Sequence, residues 1–211
     1  MKSRILGFDF RIGQSDKSLN EHWPERRRGQ YLLRSDVSAP LSVDTTVWPS
    51  LFDFDNRRSN TFACPPPANE NYFHHQGLRL WANLPEMKRT VEANNNLPKT
   101  GCIACFTLEY EDSTMGEERW RMAFDEPTVP FSADTHWELK GYDVADRFCT
   151  SGLSNCGYNA DEIEQARAVW SHSINTNGLF SSAGEALRFK EYSDKRVHSH
   201  APFYVLGIYT I

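Results

Sequence analysis

APFYVLGIYTI, residues 201–211, is apolar on both of its alternating faces. A strand wetted on one side alternates apolar with polar residues, whereas a strand covered on both sides reads as a continuous apolar run. Residues 201–211 are therefore expected to form a central strand with packed layers above and below. The rest of the chain has to supply its neighbours and its cover.

The neighbours are legible at several places. In Ile103–Glu111 the positions Ala104, Phe106, Leu108 and Tyr110 are apolar, while Thr107 and Glu109 face the other way. In Glu118–Phe124, Trp120, Met122 and Phe124 alternate with Arg119 and Arg121. The connection 112–117 is rich in turn residues, so 103–124 reads as a β-hairpin with one buried face. Glu109 would then pair across strands with the two arginines. Strands are also expected at Ile5–Phe10, Gln30–Leu33, Gly77–Leu84 and Trp137–Gly141.

Helices gather later in the chain. A short one is expected over Asp143–Phe148. Asn159 can cap another that opens at Ala160, with Asp161 and Glu162 at its positive end and Ile163, Ala166, Trp170 and Ile174 as an apolar stripe. Asn177-Gly178 stops it, and Ser181 or Ser182 caps a third running to about Tyr192. Pro85 can open a further short helix over Glu86–Glu92. The expected class is α+β: a mostly antiparallel sheet that includes the 103–124 hairpin and a central C-terminal strand, with helices concentrated in 143–193.

A single domain over 1–211 is expected, with a long ordered excursion at about 36–76. Pro40, Pro49 and Pro65-Pro66-Pro67 break regular structure there, yet Trp48, Phe52, Phe54 and Tyr72 are too apolar for a free linker. With Arg57 and Arg58 these side chains form a candidate partner-binding surface.

Composition narrows the function. Of 211 residues 39% are hydrophobic and 13% aromatic, which excludes the disordered class. The net charge of −5 argues against nucleic acid, which calls for a basic stripe, and suits a basic partner. No apolar run approaches the roughly 18 residues of a transmembrane helix. Asp9 and Arg11 interrupt any secretory leader, and five cysteines, an odd number, fit a reducing compartment, so a cytoplasmic location is expected.

Chemical motifs are few. Gly152-Leu153-Ser154-Asn155-Cys156 fails as a nucleophile elbow because Cys156 stands where the second glycine belongs. Cys156 lies just before Gly157 and the capped helix, where a thiol can be activated if a histidine such as His136 or His172 meets it. The same loop also reads as plain structure: glycines for positive φ, hydroxyls for backbone groups, and Asn159 for the cap. Cys102-x-x-Cys105 lacks the second pair of a zinc ribbon, and no phosphate-loop or dinucleotide pattern occurs. No cofactor and no metal are expected.

Two functions follow. The first is a non-catalytic protein-binding module with another protein as partner, of the character of a bacterial toxin-neutralising (immunity-type) protein. The alternative is a small cysteine-dependent hydrolase or transferase using Cys156, with Ser154 beside it and His136 or His172 as base. Homo-oligomerisation stays open.

Overall fold

The computed structural model describes residues 2–12, 33–34, 37, 40–45, 47–48, 50, 72–75, 78–81, 83–93, 101–110, 129–130, 136–146, 148–153 and 157–211, with the backbone alone for 72–75, 78–79 and 129–130. Among them lie strands β1 (Lys2–Arg11), β2 (Tyr72–His75), β3 (Leu78–Trp81), β4 (Cys102–Tyr110), β5 (Val129–Pro130), β6 (Glu138–Asp146) and β7 (Phe203–Thr210). The helices are α1 (Leu84–Ala93), α2 (Ala160–Trp170) and α3 (Ala183–Arg196). The strands form one sheet in the order β2-β3-β1-β4-β7-β6, with β5 also against β1, and every pairing is antiparallel. The class is α+β. None of the described helices is long and apolar enough to cross a membrane.

β7 is central, as its sequence requires. It pairs with β4 from Val205↔Glu109 to Thr210↔Ala104, and with β6 from Phe203↔Asp146 to Thr210↔Glu138. Phe203 to Tyr209 are all buried. On one face Leu206 and Ile208 join Leu6, Phe106, Leu108, Val43 and Trp48. On the other, Phe203 and Val205 meet Val144 and the α2–α3 side chains Ala166, Ala186 and Phe189. Phe8, Phe10 and Cys105 make a separate cluster with Met87 of α1. Each large apolar side chain buried in these layers contributes about 1.5–3 kcal/mol.

Three expectations need correction. β4 is buried on both faces from Ala104 to Tyr110, and its two edges are occupied by β1 and β7. The expected second arm of its hairpin, 118–124, lies outside the described residues. Thr107 and Glu109, expected on the wet face, are buried, with the Thr107 hydroxyl donating to the Glu109 carboxylate. Asp143–Phe148 is not a helix: Asp143 to Asp146 extend β6 against Leu206 to Phe203. Gly77–Leu84 is cut short, because Asn83 accepts the Glu86 N–H and Leu84 opens α1.

The helix ends follow the capping rules. Asn159 takes the Glu162 N–H while the Glu162 side chain takes the Asn159 N–H, a reciprocal capping box. Ser182 caps α3 by accepting from Glu185 N. Near the start of β6 a bulge falls between Leu139 and Gly141, and Gly141 has φ 140. A side chain there would lie 2.7 Å from Cβ of Leu179 and 2.8 Å from the Phe180 carbonyl, so only glycine allows this close approach.

Candidate functional site

The segment after β6 folds straight back on the strand that precedes it. Asp146 N–H donates to the Thr150 carbonyl (3.1 Å), Cys149 N–H to the Asp146 carbonyl (2.9 Å), and Gly152 N–H to the Val144 carbonyl (2.7 Å). Cys149 sits at φ 59, an uncommon conformation for a residue with a side chain. The fold-back buries Asp146 and gives its carboxylate a fixed direction. Oδ1 accepts from Phe148 N–H at 2.8 Å and Thr150 N–H at 2.9 Å.

The other oxygen meets a histidine. Asp146 Oδ2 lies 2.7 Å from Nδ1 of His200, with the Asp146 side chain 0% and the His200 side chain 34% exposed. His200 stands on the turn after α3, where its N–H donates to the Val197 carbonyl at 3.0 Å. With Oδ2 as acceptor, Nδ1 carries the proton, and Nε2 of the neutral ring is left as a proton acceptor. A Cβ on Gly157 would lie 3.7 Å from Cδ2 of His200, the ring carbon bonded to Nε2. The Cδ2 side of an aspartate-bound histidine thus lies near Gly157.

The opposite face of the sheet holds a second polar network. Asp143, fully buried, accepts from the hydroxyls of Ser42 and Ser151 (2.6 Å each) and from the N–H groups of Val43 (3.0 Å) and Val144 (2.8 Å). Burial nonetheless pushes its carboxyl above the ordinary value near 3.8. Nearby, Arg11 pairs with Asp9 at 2.7 Å, both side chains at 0% exposure, and Ser50 donates to Asp9 at 2.8 Å. Arg11 also donates to the carbonyls of Trp48 and Val43, and its guanidinium lies over the rings of Phe106 and Trp48. These bonds anchor Ser42, Val43, Trp48 and Ser50 to β1 and β6.

The residues expected from sequence are scattered. Ser154 and Cys156 lie outside the described residues, as do Phe52, Phe54, Arg57 and Arg58. His136 is exposed two residues before β6, and His172 is exposed in the 3₁₀ turn Ser171–Ser173. Tyr72 opens β2. Trp48, expected on a partner-facing surface, is 2% exposed and packs in the core, because the Arg11 guanidinium and Phe106 cover its ring. Cys102 and Cys105 join clusters on opposite faces of the sheet and cannot share a ligand. Burial raises both thiols. Among the described residues no three His, Cys, Asp or Glu side chains are placed to hold a metal ion.

Sequence reasoning missed Asp146 and His200. They are 54 residues apart, and the only local hint was His198-Ser199-His200. In comparisons with protein families, curated proteins and solved structures, nothing matches the chain.

Proposed function

We infer that the chain is a small cysteine-dependent hydrolase or transferase, with Cys156 as nucleophile and His200 as base. One observation carries this reading: the Asp146–His200 pair lies against Gly157, to which Cys156 is directly bonded in the chain. A nucleophile, a histidine within reach and a third group that orients the histidine are what thiol catalysis requires. His200 takes the place that sequence offered to His136 or His172.

In this reading Nε2 of His200 removes the thiol proton, and the thiolate attacks an acyl carbonyl. A thioester forms as the leaving group departs with the proton returned by the imidazolium. Water, deprotonated by the same nitrogen, then cleaves the thioester and frees the thiol. An amine or alcohol in place of water makes the reaction a transfer. Asp146 holds the ring and stabilises its charged form.

The test is reaction of the full chain with p-nitrophenyl acetate, followed by peptide mass mapping. The expected result is a nitrophenolate burst with the acetyl group on Cys156. Cys156→Ala should remove the burst, and His200→Gln should slow it by about 10²–10⁴-fold. Unlabelled Cys156 in the folded protein would end this reading.

The partner-binding reading draws support from the anchored base of the excursion, since binding loops work best on a rigid scaffold. Its occupant would be a basic protein such as a toxin. Charge reversal at the acidic loop residues Asp53 and Asp55 would then abolish the complex with Tm unchanged, and unfolding of these variants instead would count against it.

A further inference from the structure

Between the α1 cluster and the α2–α3 cluster, the same face of the sheet carries a polar island. Gly207 of β7 pairs with Thr107 of β4 on one side and Tyr142 of β6 on the other. Three adjacent positions therefore offer a hydroxyl, no side chain, and a phenol. A Cβ on Gly207 would run into Oγ1 of Thr107, and would lie 3.0 Å from Oε1 of Glu109 and 3.3 Å from Cε2 of Tyr209. The absent side chain is what lets these groups converge. Glu109 is 6% and Tyr209 8% exposed there.

The bonding of Glu109 is unusual among the buried acids. Oε1 accepts from the Thr107 hydroxyl at 2.7 Å, and Oε2 accepts from the Ser3 hydroxyl. A carboxylate offers about four lone-pair sites, so the two hydroxyls leave acceptor capacity unused. Asp9 has Arg11, Asp143 has two N–H donors, and Asp146 has two N–H donors and His200. Among the described residues, Glu109 meets no Lys, Arg or His side chain and no N–H donor. Buried charges in folded proteins are paired, and hydroxyls alone are a weak substitute. Burial raises the hydroxyl pKa of Tyr209 and Tyr142, and in both the charge of Glu109 adds to the effect, which places both phenols within its field.

We propose that Glu109 is the anionic contact of a binding site for an organic cation, an alkylammonium or guanidinium group of side-chain size, received between Tyr142 and Tyr209. Electron-rich rings beside a carboxylate supply cation–π attraction and a charge-assisted hydrogen bond together. Tyr142 is part-exposed on β6, while Thr107 and Tyr209 are buried. The site does not depend on the hydrolase reading.

The experiment is a titration of the full chain, ¹³C-labelled at its glutamate carboxyls, with n-butylammonium and with ethylguanidinium at neutral pH. n-Butanol serves as the neutral control. A saturable shift of the Glu109 carboxyl with at least one cation, and none with butanol, is expected. Glu109→Gln keeps the shape without the charge and should weaken binding about tenfold or more. Gly207→Ala, which displaces Thr107 and Glu109, should do the same while circular dichroism shows the fold retained. The proposal is overturned if neither cation gives a saturable shift, or if the folded Gln variant binds as well as the parent protein.

Discussion

Ser42 donates its hydroxyl proton to the Asp143 carboxylate at 2.6 Å, across 101 residues of chain. That bond, with those from Val43, Val144 and Ser151, ties Ser42 and Val43 to β6 and to the fold-back after it. Asp143→Ala would leave these buried donors unpaired and should cost about 3 kcal/mol or more, read as a lower urea midpoint at unchanged slope.

The same carboxyl should mark the pH dependence of stability. Burial raises it in the folded protein above its ordinary value near 3.8. A raised acid contributes stability that is fully present below the unfolded value and is lost as pH rises through the folded one. The parent protein should therefore lose stability relative to Asp143→Asn as pH climbs from below 3.8 toward neutrality. Urea midpoints of the two proteins that run parallel over that range would contradict this.

Arg11 and Asp9 are both fully buried, so removing one strands the other. Arg11→Ala should cost about 3–5 kcal/mol. The double change Asp9→Ala, Arg11→Ala should cost less than the sum of the single ones. A double-mutant cycle from urea denaturation measures the difference, and simple additivity would show that the pair is uncoupled.

Cys105 and Cys149 should be silent toward thiol reagents in the native protein. Burial pushes both thiols well above their ordinary range, and both are at most 4% exposed. Alkylation followed by peptide mass mapping should find them modified only after denaturant is added.

Asn159 should be worth about 1 kcal/mol as the cap of α2, so Asn159→Ala should lower the urea midpoint modestly. Asn159→Asp should leave it unchanged, since aspartate accepts the same Glu162 N–H. An equal loss in both variants would mean that the side chain acts through something other than the cap.

The parts of this fold that were legible in the sequence are those governed by local pattern. The continuous apolar run 203–209 read correctly as a two-sided central strand, and Asn159 and Ser182 read correctly as caps because capping acts over three residues. Failures came where a distant partner decides. Asp143 and Asp146 resemble helix-end acids until Ser42 and His200 are known to meet them. Glu109 looked solvent-facing because its bond to Thr107, two residues away, has no sequence signature, and Ser3 is 106 residues distant. Trp48 looked like a surface aromatic until Arg11, 37 residues earlier, was seen to reach its carbonyl. The histidine of the candidate site was hidden for the same reason.

The most direct test of the proposed function is the pH profile of Cys156 alkylation by iodoacetamide, followed by peptide mass mapping in the parent protein and in His200→Gln. A thiol paired with His200 should be the fastest-reacting of the five cysteines. It should react well below the ordinary thiol range near pH 8.5 and lose that advantage when His200 is replaced. An ordinary thiol profile for Cys156, identical in the two proteins, would contradict the pairing and with it the hydrolase reading.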